Sequence, residues 1–375
     1  MKKINIIKIN NKYKIFIIIF LLIQKYIITN RLNYYLKNES NQKRIGVINL
    51  PNYKNVGNIL VKYSMFKKLE EFGFNATIIT QKSVNEKRKV DYSFLNRTVN
   101  SHLLILKKNF SELNKNDYDY LLVNSDQTWA YFNKKYFFDI AFLNFAKNWK
   151  VNKFIYAASI GSEKWFYNKK EEKIAKKLLK NFTGISFREK GTVKLAKEHL
   201  NIQSVFVLDP TLLIDKNYYL QEIKNYQSDF NINDKYIFIY QLIKNNIFEK
   251  VVNKSSTYLN YKIYKLELKN KDYIESFIFG ISNCQAVITD SFHGTIFSII
   301  FNKPFISYMN RKDGNGRFYS LREVFNLENR ILESTNFENV NMNLLNESLN
   351  INQTLLESLK NFSINYLKRN LDLLY

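Results

Sequence analysis

A single cysteine, Cys284, stands in 375 residues, so no disulfide can form within the chain. With only three scattered histidines beside it, no Cys/His cluster is available for a structural zinc, and a reducing compartment is expected. Three prolines and ten glycines are too few for a disordered low-complexity chain. No apolar run reaches the roughly 20 residues of an ordinary bilayer span. Acids are also scarce: 33 Asp and Glu face 57 Lys and Arg, a formal charge of +24. That excess raises the question of nucleic acid or anionic lipid as a partner. Lys, Asn and Ile are heavily used throughout, however, and no arginine-rich helix or aromatic single-strand-binding module stands out, so no nucleic acid is expected. What is abundant is apolar surface: 46% hydrophobic and 16% aromatic residues suffice to bury two α/β cores.

The charge is uneven. Residues 1–44 hold ten Lys or Arg against the single acid Glu39, a formal +9 that leaves +15 for the other 331 residues. Within them Ile15 to Ile23 is unbroken apolar sequence, Gln24 and Lys25 interrupt it, and Tyr26 to Ile28 resume it. This stretch is too short to span a bilayer. The preferred reading of residues 1–43 is a membrane-surface anchor, in which Lys12, Lys14, Lys25 and Arg31 meet anionic headgroups while Ile and Phe enter the acyl boundary. A helix packed on the protein itself and a signal anchor stay open; a secretory signal matches the basic start and short apolar core, but no small-residue cleavage site follows.

From Arg44 the chain alternates strand-like and helix-like runs, the pattern of a parallel sheet covered by helices. Arg44 to Leu50 reads as a strand, and the loop Pro51 to Asn58, with Asn55 and Gly57, leads into an amphipathic helix over Ile59 to Phe72. Phe74 to Thr80 reads as the next strand. Four later strands end in polar residues: Tyr120 to Asn124 before Ser125-Asp126-Gln127, Phe154 to Ala158 before Ser159 and Gly161, Ile185 to Phe187 before Arg188-Glu189, and Val205 to Leu208 before Asp209-Pro210. If these strands are parallel, their polar ends line one sheet edge and imply a cleft. A polar stretch, Asp215 to Asp234, marks a crossover, and strands at Tyr236 to Tyr240 and Tyr261 to Leu266 begin a second α/β unit near residue 216. Residues 336–375 show helical spacing through Leu355, Leu359, Phe362, Tyr366 and Leu367 and are read as a tail that packs back across the domains.

The most informative segment is Ala286 to Thr289, a β-branched run cut off by Asp290-Ser291-Phe292-His293-Gly294 and followed by an apolar helix that Pro304 stops. His293 thus sits at a strand-to-helix turn, where open α/β sheets meet their ligands and backbone N–H groups can hold an anion. It titrates near neutral pH, with Asp290 close enough to orient it and Ser291 able to donate a hydrogen bond. The bland alternative makes Asp290 and Ser291 helix caps. Arg188 at its strand end suits a bidentate grip on carboxylate or phosphate, or else a pair with an acid such as Glu189. Asp126 and Gln127 offer directional bonds to sugar hydroxyls, or cap a turn. Asp209 with Pro210 reads as architecture, a stiff turn.

These segments resemble the polysaccharide pyruvyl transferase family from about Arg44 to about Arg330, most specifically over Thr289 to Pro304. Ser125-Asp126-Gln127-Thr-Trp129 is similar to the family's Gly-Ser-Asp-Gln-x-Trp block, with Asn124 in place of the glycine; Asn55-Val-Gly57 resembles its Asn-x-Gly loop, Ser159-Ile-Gly161 its Ser-x-Gly loop, and Ser186-Phe-Arg188-Glu189 its Ser-x-Arg-Glu turn. In family members an arginine follows the loop equivalent to Asp313 to Gly316, so Arg317 is a second anion-binding candidate. The resemblance implies an α/β fold of two facing Rossmann-like domains, similar to GT-B glycosyltransferases. The first is expected over 44–215, the second over 216–335, with the helical tail over 336–375.

The resemblance also implies transfer of a pyruvyl group from phosphoenolpyruvate to sugar hydroxyls, forming a ketal. The expected acceptor is a cell-surface glycan or its lipid-linked precursor, and the expected location is cytoplasmic, peripheral at the inner face of the membrane. His293, with Asp290, would move the proton; Arg188 and Arg317 would hold carboxylate and phosphate, with Ser291 and Gly294 as neutral donors. Ser125, Asp126, Gln127, Ser159, Asn55 and Gly57 would line the substrate site. No cofactor or metal is required, and magnesium bridging the phosphate stays open, as does the oligomeric state. Two other readings stand beside this one: a nucleotide-sugar glycosyltransferase and a non-catalytic membrane-associated glycan-binding protein.

Overall fold

The structure, a computed structural model, describes residues 42–374 apart from 52–54, 83–91, 131–136, 229–233, 270 and 310–313. The membrane-anchor reading of the N-terminal segment therefore falls outside the described residues. Among the described residues no helix is long and apolar enough to cross a membrane.

Seven strands build the first sheet: β1 (Arg44–Ile48), β2 (Asn75–Gln81), β3 (Leu103–Leu106), β4 (Tyr120–Val123), β5 (Asn152–Ala158), β6 (Gly184–Phe187) and β7 (Val205–Phe206). Their order is β3-β2-β1-β4-β5-β6-β7, and every pairing is parallel. Five more build the second sheet: β8 (Tyr236–Tyr240), β9 (Lys262–Lys265), β10 (Ala286–Thr289), β11 (Phe305–Tyr308) and β12 (Ile331–Leu332), ordered β12-β11-β10-β8-β9, again all parallel. Parallel strands are covered on both faces, which is why the inner ones read as unbroken apolar runs: Tyr236 to Tyr240 and Ala286 to Thr289 are buried throughout. The sequence reading lacks β3 and β12. Both are edge strands, β3 largely half-exposed and β12 only two residues long, too weak in pattern to stand out.

The helices that matter for the site are α1 (Val56–Glu71), α2 (Tyr273–Asn283), α3 (Phe292–Ile300), α4 (Gly316–Phe325) and α5 (Gln353–Asn370). Helix α1 starts three residues before the expected Ile59, because the extended Asn55 caps it and accepts the Asn58 N–H at 3.2 Å. The expected amphipathic pattern is also corrected: α1 is buried nearly all round, Lys62 and Ser64 included. One flank packs on β2; the other meets α2 and α3. The Tyr63 ring meets Phe94 at 5.4 Å and Tyr219 at 6.0 Å, and its hydroxyl donates to Glu222 at 2.8 Å.

The core has three parts. One apolar cluster joins Ile45 and Tyr120 of the first sheet to Phe238, Phe277 and Phe297 of the second half, with α1 between them. A second covers the opposite face of the first sheet around Trp129, and a third the opposite face of the second sheet around Ile237 and Phe337. Residues 44–375 accordingly form one compact unit.

The expected C-terminal tail divides. Phe337, Met342 and Leu345 belong to the core of the second sheet, whereas α5 returns to the first. Tyr366 donates to the Ile155 carbonyl at 2.8 Å, Ser363 accepts the Leu208 N–H at 2.9 Å, and Tyr120 donates to Asp372 at 2.8 Å. Phe362, counted in the apolar stripe, is 47% exposed; the docked face carries Ser363, Leu367 and Asn370. Leu367 is fully buried in the central cluster. Leu367→Ala should therefore cost about 2–5 kcal/mol in urea denaturation, and a change below about 0.5 kcal/mol would show that α5 does not clamp the first sheet.

Candidate active site

Each sheet has a point where the strand order reverses: between β1 and β4 in the first, between β8 and β10 in the second. Open α/β sheets bind ligands at such points, beyond the carboxyl ends of the strands. Asn55, Gly57, Ser125 and Asp126 follow β1 and β4, while Asp290, Ser291 and His293 follow β10.

In the second half, β10 ends at Thr289, whose hydroxyl donates to the Tyr240 carbonyl at 2.6 Å and accepts the Ser291 N–H at 3.0 Å. Ser291 caps α3, its Oγ accepting the Gly294 N–H at 3.3 Å, so the bland capping reading holds for Ser291 and the Gly294 donor is used within the chain. Asp290 needs a correction. Its two oxygens accept the Leu242 and Ile243 N–H groups at 2.6 and 2.9 Å, which ties down the loop after β8. The carboxylate beside Nε2 of His293 is that of Asp209, 3.6 Å away. The turn after β7, read as architecture, thus reaches across to the histidine.

In the first half, Arg188 is 3% exposed and lies between two carboxylates. Its Nη1 donates to Asp209 Oδ2 at 2.5 Å and to Ser125 Oγ at 3.4 Å; its Nη2 donates to Asp126 Oδ1 at 3.3 Å. Arg188 is therefore engaged by acids of its own chain, contrary to the expectation of an open guanidinium. Burial would raise the Asp209 carboxyl, but the Arg188 charge, helped by His293, outweighs it and holds the group far below the usual range. Asp126 is likewise held below its ordinary value: burial is outweighed by Arg188 and by the Asn58 amide, whose Nδ2 donates at 2.9 Å. Asp126 adopts φ +94°, an uncommon conformation for a residue with a side chain. Asn124, in place of the family's glycine, follows β4 and donates to Asn49 at 2.8 Å.

Two glycines show how tightly the site is fitted. A Cβ on Gly57 would lie 1.8 Å from Nδ1 of His293, so the close approach that the Asn-x-Gly loop permits is to this imidazole. Gly161, at φ +71°, leaves room for the Gln127 amide, which a Cβ would meet at 2.0 Å. Ser159 is buried against Glu189, to which it donates, and Glu189 also takes the Gly161 N–H at 3.4 Å; a buried carboxylate needs such donors, and they occupy Ser159. Arg317 lies in the first turn of α4, and its guanidinium is 5.2 Å from the Phe292 ring, with Arg188 4.9 Å from the same ring.

The structure thus adds Asp209, Phe292, Asn58 and Lys62 to the site. Lys62 is 1% exposed and donates to Asn58 Oδ1 at 2.7 Å and to the Asn58 carbonyl at 3.1 Å. Burial pushes its ammonium down to about 7, against the opposing pull of Asp126. Its sequence signal was faint: a lysine four residues after Asn58, one helical turn on. Among the described residues, the buried Nε of Arg188 and Nε2 of His293 have no hydrogen-bond partner.

Gly57→Ala should displace the His293 ring and cost about 1–3 kcal/mol; unchanged stability with an unchanged His293 imidazole NMR signal would contradict this packing. The carboxyls of Asp126 and Asp209 sit below their unfolded value of about 3.9, so their stabilisation is present above that pH and lost as pH falls. Without Arg188 burial would raise them instead. The stability gap between wild type and Arg188→Gln, by urea denaturation, should therefore widen from pH 3 to 7 and reach about 3–5 kcal/mol; a gap independent of pH would refute the pairing.

Known proteins bear on this arrangement in three ways. Solved structures share the fold: UDP-GlcNAc 2-epimerase from Neisseria meningitidis bound to UDP-GlcNAc is 12% identical with a TM-score of 0.54, covering 87% of this chain and 100% of that one. S. aureus MnaA with UDP is 14% identical with a TM-score of 0.52, covering 89% and 98%. At such identities the likeness shows an α/β, GT-B-like fold of parallel sheets. Among curated proteins, Protein Ycf2 of Physcomitrium patens is 24% identical over 302 residues, 76% of this chain but 12% of that protein's length. The family model described as Polysaccharide pyruvyl transferase matches residues 55–312, from the cap of α1 through β11, and takes in Lys62, Asp126, Arg188, Asp209 and His293 but not Arg317. With more than half of the chain matched, the protein belongs to the polysaccharide pyruvyl transferase family.

Proposed function

We propose that this site transfers a pyruvyl group from phosphoenolpyruvate to two hydroxyls of one sugar, in a cell-surface glycan or its lipid-linked precursor. The observation that carries this reading is His293: a buried imidazole whose Nε2 makes no hydrogen bond among the described residues and lies 3.6 Å from a carboxylate that Arg188 keeps ionised. A proton held there can be delivered without competition from bulk water.

The chemistry balances as follows. The methylene carbon of phosphoenolpyruvate accepts a proton from His293, and positive charge develops on the neighbouring carbon. One sugar hydroxyl forms a C–O bond to that carbon and returns its proton to the imidazole. The C–O bond to phosphate breaks, the second hydroxyl adds, and its proton leaves with inorganic phosphate. Asp209 stabilises the imidazolium form, as a carboxylate beside a catalytic histidine does. The guanidiniums of Arg317 and Arg188, the latter through Nε, hold carboxylate and phosphate. A cytosolic donor together with the basic N-terminal segment favours a location at the inner face of the membrane.

Calorimetric titration of the full chain with phosphoenolpyruvate, with and without magnesium, tests the donor, and phosphate release with a glycan acceptor tests turnover. Arg317→Gln should weaken donor binding about tenfold or more, by loss of a charge-assisted bond. His293→Asn should retain donor binding and lose about 10²–10⁴ in turnover. Absence of donor binding by the folded chain, with turnover of a nucleotide sugar, would replace this reading by glycosyl transfer.

A further inference from the structure

Lys62 has no role in the scheme above, yet it stands at the head of a buried chain that ends at His293. Its Nζ donates to Oδ1 of Asn58 at 2.7 Å; Nδ2 of Asn58 donates to Asp126 at 2.9 Å; Arg188 bridges Asp126 and Asp209 at 3.3 and 2.5 Å; and Asp209 lies 3.6 Å from His293. Because the amide oxygen of Asn58 faces Lys62, its N–H₂ faces the carboxylate. Lys62 therefore sets which end of Asn58 meets Asp126. A neutral amine keeps N–H donors, so this contact survives loss of the charge.

The balance of charge gives Lys62 a second task. Arg188 and Arg317 in this region face the carboxylates of Asp126, Asp209 and the buried Glu189, so a ligand carrying both phosphate and carboxylate brings negative charge that these groups do not offset. The charged group acting on Lys62 from the facing loop is Asp126, behind which stand Arg188 and His293; its own helix contributes the neutral Asn58. We propose that Lys62 is a positioning residue that takes up a proton when an anionic donor enters the site, offsetting the donor's charge from behind Asp126. This rests on the donor reading above. It is consistent with a fully buried amine that titrates at about 7 in the unliganded protein.

Proton uptake on binding is read by titrating phosphoenolpyruvate into the full chain at pH 7.5 in two buffers of different ionisation enthalpy. Wild type should take up on the order of half a proton per bound donor, given a group titrating near 7. Lys62→Met and Lys62→Arg should bind the donor with little uptake, since neither side chain can gain a proton, while His293→Asn should retain it. Uptake equal to wild type in Lys62→Met would overturn the proposal. If the donor fails to bind wild type, the donor reading fails by itself, and the titration of Lys62 is read from stability. An amine lowered by folding binds fewer protons folded than unfolded between about pH 7 and 10, so wild-type stability should rise across that range relative to Lys62→Met. Parallel curves for the two proteins would show that Lys62 keeps its charge throughout and would also overturn the proposal.

Discussion

The pairing of Arg188 with Asp126 and Asp209 is the constraint on which the rest of the site depends. Removing three charges from water is expensive, and such a cluster persists only when its members satisfy one another. Each carboxylate has further donors: Asp209 takes the Thr211 N–H at 3.1 Å and hydroxyl at 2.8 Å, and Asp126 takes the Gln127 N–H at 2.8 Å. The loops after β4, β6 and β7 are thereby fixed to one another. Only with Asp209 held in this way does a carboxylate stand opposite His293, which arrives from the other sheet on the first turn of α3.

Helix α1 converts that local cluster into a property of the whole fold. Its first turns present Gly57 to His293, Asn58 to Asp126, and Lys62 to Asn58. Its later turns bury Tyr63, Met65 and Leu69 between the two sheets. The same helix thus carries polar register at one end and apolar packing along the rest. A shift by one residue would break both.

How much of this was legible depends on the range of the contacts. The inner strands announced themselves through unbroken apolar runs, and the motif Asp290 to Gly294 marked the turn that carries His293. The bland local reading was sound for Ser291, whose oxygen caps the helix that follows it. It failed where the partner lies far along the chain. Asp290 is close to His293 in sequence, yet Asp209 is the acid at its imidazole, because β7 and β10 belong to different sheets whose loops converge. Arg188 likewise looked open, since nothing nearby in sequence showed that Asp126 and Asp209 would converge on it. Lys62 looked like one charge among 57 Lys and Arg until its burial singled it out.

Such burial has a mechanical consequence. His293 is 4% exposed and Asp209 3%, so a ligand that touches either side chain has to part the two halves around them. At the rim the halves are joined by polar contacts: Lys190 bonds Glu323 at 2.7 Å and, through its N–H, Ser320 at 3.0 Å, and Arg97 pairs with Glu275. The exposed Lys190–Glu323 pair contributes about 0–1 kcal/mol and exchanges readily with water. The central apolar cluster around α1 is continuous across both halves and far costlier to divide. Parting is therefore cheapest as a rotation that releases the rim contacts and the His293–Gly57 packing while the core beneath α1 stays closed. Such a rotation would carry His293 away from Gly57 and Asp209 together, because both stand on the half opposite α3.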